Sequence, residues 1–399
     1  MSNGMKITSI KSKEIKDSRG EPTIEVEICS ENICVTASVP SGKSAGSREA
    51  KNVPIETAIR NIEEIIAPAI LNLEIDPQRV DKILIELDGT EDKSKLGGNT
   101  TLGVSLAVTR LGAKLENKPL WKYINEISGL NTNPALPKLF MNVINGGAHA
   151  DFRIPFQESM IVTDCNLYDS AVTFLDKLGE VVKEKYGEVK IGDEGGFSPQ
   201  MSRVEEPFEL ISGLMSSDMK IAIDVAGSEL YKDGRYKLFE KEYTSNELQQ
   251  VYKNLVENFP LFSIEDPFEE SDFSAFSDMV KESRDWKLKS GDEDLIIVGD
   301  DLTTTNAKQI LDSARNRRAN AVIIKPNQIG TLSEVYNAVK IARGAGWKII
   351  CSHRSGETMD DFISDLAVGI GAYGIKAGSP RQKERLVKYQ RLQQISKEI

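Results

Sequence analysis

The second half of this chain is punctuated by short apolar runs that each stop on a charged residue. Lys220–Asp224 (KIAID), Leu261–Glu265 (LFSIE), Leu295–Asp300 (LIIVGD), Ala321–Lys325 (AVIIK), Trp347–His353 (WKIICSH) and Tyr373–Lys376 (YGIK) follow one another, their last residues 23 to 41 positions apart. Runs of this length read as buried strands. Amphipathic segments lie between them, two opening with capping-box spacing at Thr244-x-x-Glu247 and Thr331-x-x-Glu334. This alternation predicts repeated βα units closing into a parallel barrel, in which residues at the C-terminal strand ends converge on one mouth. Asp224, Glu265, Asp300, Lys325, His353 and Lys376 then form one constellation. Within it, Ala321–Ile324 runs directly into Lys325 and Pro326, and proline does not continue a central strand. Burial disfavours an ammonium ion, so Lys325 is expected to have a lowered pKa and to serve as a base.

At 399 residues the chain exceeds what one core usually supports. Two domains are expected, 1–133 and 134–399, with Leu130–Pro137 as the linker. Thr23–Ile28 alternates, and Ile33–Ala37 follows a polar turn at Ser30-Glu31-Asn32, so the first 40 residues read as strands. From Ile55 to about Ile124 the period is helical, with Asn99–Leu115 the clearest helix. Strands followed by helices make this first part a smaller α+β domain. Between them lies Gly42-Lys43-Ser44, which invites a phosphate-loop reading. That motif needs a glycine at position 37, where this chain has Ala37. The segment is read instead as a lid whose Ser44 reaches a substrate.

The net charge of −11 and pI near 5.1 argue against nucleic acid or an anionic membrane as partner. A locally positive site for a small anion stays compatible with them. Cys29, Cys34, Cys165 and Cys351 are scattered without a CxxC pair, which fits a reducing, cytoplasmic setting better than a disulfide framework. The first residues lack the apolar stretch of a signal peptide, and no run approaches a membrane span. With two histidines, a histidine-rich zinc site is excluded.

Asp224, Glu265 and Asp300 at three successive strand ends are hard oxygen donors that repel one another unless a cation sits among them. Oxygen-only ligation favours Mg²⁺. Taken singly, each is more simply a solvated or ion-paired carboxylate; in register they favour a metal. Lys325 has the bland reading of a structural ion pair across the barrel, and Lys376 and Arg354 that of ordinary barrel-mouth cations, the alternative being that they hold an anionic substrate. Arg354, with its planar fork, suits a phosphate. Two glycine-rich loops, Asn142–Ala150 and Ile191–Phe197, carry His149, Asp193 and Glu194, and Gln157-Glu158 falls between them. A metal beside a lysine base points to removal of a weakly acidic C–H next to a carboxylate.

With these residues assembled, the chain resembles the enolase family essentially end to end. DSRGEPTIEVEI, VPSGKSAG, LGGNTTLGVSLAV, NVINGGAHA, QESM, GDEGGF, IDVAGSE, SIEDPF, VGDDLT, IKPNQIG, SHRSGET and GIKAGSPRQKERLVKY carry the likeness in order. Lysine-plus-magnesium chemistry is the established pattern of that superfamily. The resemblance implies an enolase-type β/α barrel and conversion of 2-phosphoglycerate to phosphoenolpyruvate and water, reversibly, with two Mg²⁺ per active site. It makes Lys325 the base and Glu194 the acid, assisted by Glu158. Asp224, Glu265 and Asp300 would hold the first Mg²⁺, and Ser44 with substrate phosphate oxygens the second. Arg354 and Ser355 would hold the phosphate and Lys376 the carboxylate side, with His149 and His353 closing around it. It further implies a homodimer or an octamer of dimers. Lys43, Ala45, Ala148 and the stretch 151–156 depart from the usual pattern, and Pro326 after the base resembles archaeal forms. Two rivals keep part of this: another superfamily reaction, such as an acid-sugar dehydratase or racemase, and a catalytically silent binding homologue. The Glu194–Arg354–Ser44 set disfavours the first, and the complete ligand and base set disfavours the second.

Overall fold

The computed structural model describes residues 5–43, 46–150 and 153–399. Ser44, Ala45, Asp151, Phe152 and the side chain of His149 lie outside the described residues, and with them the expected parts of Ser44 in lid and metal binding and of His149 in substrate binding.

The chain opens with an antiparallel meander of β1 (Ser9–Lys16), β2 (Pro22–Ser30) and β3 (Ile33–Ser38). Ile24, Val26 and Ile28 alternate inward on β2 and are fully buried. They pack under the helix Gly98–Leu115, which is buried nearly all round. Gly103 makes this contact possible, because a Cβ there would stand 2.6 Å from Val26 Cγ2. The two-residue turn between β2 and β3 sets Cys29 directly opposite Cys34 at a Cα separation of 4.1 Å, and the two are joined as a disulfide. This corrects the expectation of four scattered, reduced cysteines. A spacing of five across a tight hairpin creates the close pair of an antiparallel ladder, which a search for CxxC does not see.

Eight strands close the barrel: β4 (Lys138–Asn145), β5 (Glu158–Thr163), β6 (Lys220–Asp224), β7 (Leu261–Glu265), β8 (Ile296–Gly299), β9 (Ala321–Ile324), β10 (Lys348–Ser352) and β11 (Gly374–Lys376). β11 pairs back onto β4 and completes the ring. The expected capped β/α barrel is present, with one refinement. β5 runs antiparallel to both neighbours, β4 and β6. The cause is local: the chain leaving β4 folds straight back, with Gly146 N–H bonded to Gln157 O (2.9 Å) and Gly147 N–H to Ile154 O (2.8 Å). A parallel return would need a crossover, normally a helix.

The barrel interior is an apolar plug built from Phe140, Met160, Val162, Phe262, Val298 and Ile323 among others. Its walls carry a second, larger core under the surrounding helices. Polar strand ends are therefore pushed out to the mouth. There the first part of the chain caps the barrel: Ser41 and Gly356 exchange backbone hydrogen bonds (2.8 and 2.9 Å), and Arg110 forms a two-pronged pair with Asp360. Both sequence-predicted caps form. Thr244 and Glu247 make the full box, and Thr331 Oγ1 accepts from Glu334 N–H. No helix among the described residues is long and apolar enough to cross a membrane.

Candidate active site

The predicted side chains that lie among the described residues reach the mouth for local reasons. Asp224 and Glu265 are the last residues of β6 and β7, buried up to the carboxylate. Asp300 follows β8 directly. Lys325 follows β9, leaves the ladder when its N–H bonds Thr305 Oγ1 (2.9 Å), and is followed by the short 3₁₀ turn Pro326–Gln328. Glu158 sits at the beginning of its strand, not the end. Because β5 is reversed, that beginning lies at the same mouth, opposite Asp224 in the ladder. Sharp exits follow three of these strands: Ala226 (φ 49°), Asp266 (φ 39°) and Thr304 and Thr305 (φ 45° and 54°) are left-handed without being glycine. Such conformations cost about 1–3 kcal/mol each and cluster at functional sites. Asp266 secures one of them by accepting the N–H groups of Asp300 (2.9 Å) and Asp301 (2.7 Å).

Glu158, Glu194, Asp224, Asp300, Lys325, His353, Arg354, Ser355 and Lys376 line one cavity. Glu265 lies behind them and reaches the same lysine. Lys376 Nζ is the hub, 2.7 Å from Asp224 Oδ2, 2.9 Å from Glu265 Oε2 and 3.0 Å from Glu158 Oε1. Asp300 bonds Lys325 Nζ with one oxygen and accepts Gln328 Nε2 (2.8 Å) with the other. The expected carboxylate triad is thus shared between two lysines. Asp300 instead comes together with Asp266 and Asp301, their oxygens within 4.8 Å of one another. Arg354 donates to Glu49 Oε2 (2.8 Å) and Asn327 Oδ1 (3.2 Å), and Glu194 accepts from Asn145 Nδ2 (2.6 Å). Ser355 Oγ accepts Lys43 N–H (2.8 Å) and Arg19 Nη1 (3.3 Å).

Eight carboxylates and three cations line this cavity. The imbalance shows in the acidities. Burial, then the neighbouring Asp224, holds the Glu265 proton far above the usual carboxylate range. Burial, eased by Lys376 and increased by Glu194, pushes Glu158 up to about 7. Burial and Asp300 push Asp301 up to about 7. Lys325 differs from expectation. Burial presses its pKa down, but the contact with Asp300 outweighs it and the net shift is upward. His353 is held well below its usual range, by burial first and by Arg385 next.

The residues fit a divalent cation. The donors at β6, β7 and β8 are all carboxylate oxygens, an ammonium ion already stands among two of them, and Glu265 Oε1 is buried with no hydrogen-bond partner among the described residues. Sequence reasoning gave no role to Glu49, Gln157, Asp266, Asp301, Gln328 or Arg385. Asp266 and Asp301 adjoin predicted residues and were within reach of the same reading. Gln157, which donates to Asp224 (3.2 Å), adjoins Glu158. Glu49 and Arg385 carried no local signal.

Fold and site together define a capped β/α-barrel enzyme whose mouth combines an acidic cation cradle with lysine and arginine. The N-terminal domain model of enolase matches residues 7–124, and the model of the enolase C-terminal TIM barrel domain matches residues 133–399. Enolase of the archaeon Methanopyrus kandleri is 42% identical over 422 aligned positions, covering 99% of this chain and 96% of that protein. Enolase of Thermococcus gammatolerans is 41% identical, covering 100% and 96%. The chain belongs to the enolase family, and it is a lyase of the phosphopyruvate hydratase type.

Proposed function

We propose that this protein dehydrates 2-phosphoglycerate to phosphoenolpyruvate, reversibly and with Mg²⁺, as a cytoplasmic homo-oligomer whose capping part ends at residue 133. The observation that carries this reading is the pairing, in one cavity, of Lys325 with Glu194 among carboxylates and anion-binding cations. Asp224, Glu265 and Asp300 would hold one Mg²⁺, with Ser44 contributing to a second. When bound, the metal neutralises charge that develops on the substrate carboxylate.

The chain's own residues supply the rest. With a cation held by Asp300 and Asp224, Lys325 would be freed of the Asp300 contact that raises its pKa, while burial would continue to lower it. Its neutral amine takes the C2 proton. The C2–H electron pair becomes the C2=C3 double bond as the C3–O bond breaks. Glu194 protonates the departing hydroxyl, which leaves as water, and Glu158 assists from its raised pKa. Arg354 and Ser355 bind the phosphate, and Lys376 the carboxylate side, with His149 and His353 closing around the substrate.

The test is formation of phosphoenolpyruvate from 2-phosphoglycerate with Mg²⁺ and again with EDTA. Metal-dependent turnover supports the reading. Folded, metal-loaded protein that leaves 2-phosphoglycerate unchanged overturns it.

A further inference from the structure

Arg385 lies on the first turn of the helix Lys383–Ile395 and is fully buried. Among the described residues no carboxylate pairs with it at ion-pair distance. Its partners are neutral acceptors. Nε donates to Gln382 Oε1 (2.8 Å), and Nη2 donates to the carbonyls of Asp193 (2.8 Å) and Ser355 (3.1 Å). Nη1 meets His353 Nδ1. The fold makes room for this: Gly378 has φ +76°, and a Cβ there would stand 2.3 Å from Arg385 Cδ.

We propose that Arg385 is a positioning residue that fixes His353 as the Nε2–H tautomer, aimed at Glu158, and ties the Glu194 loop to the Ser355 loop. Guanidinium only donates, so the Nδ1 it meets must be an unprotonated acceptor. In a neutral imidazole the hydrogen then sits on Nε2. That nitrogen lies 3.9 Å from Glu158 Oε2, an oxygen buried without a hydrogen-bond partner among the described residues. An imidazolium would set N–H against N–H at Nδ1, and the depressed pKa of His353 agrees with this. The second arm acts on geometry. Asp193 precedes Glu194 and Ser355 follows Arg354, so one guanidinium spans the loops that carry the acid and the phosphate-binding groups. A brace for loop carbonyls alone would leave the tautomer of His353 free. The catalytic consequence rests on the reading of Glu158, Glu194 and His353 given above.

The chain has two histidines, His149 and His353, so ¹⁵N-histidine labelling of the full protein gives two ring systems, assigned with His149→Gln. In the wild type, His353 is expected to show unprotonated Nδ1 and protonated Nε2, unchanged from about pH 8 to about pH 5.5, about one unit below the ordinary histidine pKa. Arg385→Met is expected to give mixed tautomers and a titrating ring. Arg385→Lys, which keeps a donor and the charge, is expected to restore part of the wild-type signal while kcat stays about 10- to 100-fold low, the size typical of lost outer-shell partners. A wild-type Nδ1–H signal, or a folded Arg385→Met protein with an unchanged His353 spectrum, overturns the proposal. If Arg385→Met does not fold, the wild-type spectrum decides alone. Failure of the functional reading is distinguishable: it gives absent turnover with the Nε2–H signal in place.

Discussion

Asp81 offers a test of how the cap is held to the barrel. It lies on the helix Pro77–Asp88, is 1% exposed, and accepts the backbone N–H of Ser333 (2.8 Å), which belongs to the barrel helix Leu332–Gly344. Burial raises its pKa from 3.8 to about 6; Ser105 and Ser333 pull the other way and Glu334 adds to the rise. The folded state therefore holds this proton more tightly than the unfolded chain does. Below the unfolded pKa both states are protonated and the full contribution is present. It is lost as pH rises through the folded pKa. A shift of about two units at about 1.36 kcal/mol per unit makes ionised Asp81 cost about 3 kcal/mol above neutral pH. About 2 kcal/mol of that develops between about pH 4.5 and about pH 8. Asp81→Asn keeps an acceptor for Ser333 and removes the charge. Urea unfolding of both proteins across this range should show the variant gaining on the wild type by about 2 kcal/mol as pH rises. Other titrating groups cancel in the difference. A flat difference, or one that shrinks with pH, would refute the argument that buried charge at this seam is destabilising.

Three further outcomes are expected. Glu265→Gln should weaken Mg²⁺ binding by calorimetry while leaving the fold intact, since a neutral amide replaces one of three carboxylates; unchanged affinity would remove Glu265 from the ligand set. Thr244→Ala should cost about 1 kcal/mol in urea unfolding, because the capping box at Ser245–Asn258 loses its hydroxyl acceptor. Gly378→Ala should lower thermal stability and activity together, since its methyl would collide with Arg385 at a left-handed position; wild-type behaviour would mean that Arg385 has room to move.

Much of the site was legible because a buried strand that ends in charge is a local pattern, and a barrel converts six such patterns into one place. Asp224, Glu265, Lys325 and Lys376 were found this way. Glu158 was not, since it begins its strand and reaches the mouth only because β5 is reversed. That reversal depends on the backbone hydrogen bonds at Gly146 and Gly147, which periodicity does not register. Lys325 shows the limit of reasoning from burial alone: desolvation gave the sign correctly for an isolated lysine, and Asp300 reverses it. Arg385 looks in sequence like one cation among several on an amphipathic helix. Only the tertiary fold reveals that it is buried against His353.

The central claim is that Lys325 takes the C2 proton. Its most direct measurement is exchange of the C2 hydrogen of 2-phosphoglycerate with deuterated solvent, in the presence of Mg²⁺, for wild type and Lys325→Ala. The account predicts exchange in the wild type and none in the variant, with Mg²⁺ affinity by calorimetry largely kept. Exchange that persists in Lys325→Ala would assign the proton to another group and contradict the account.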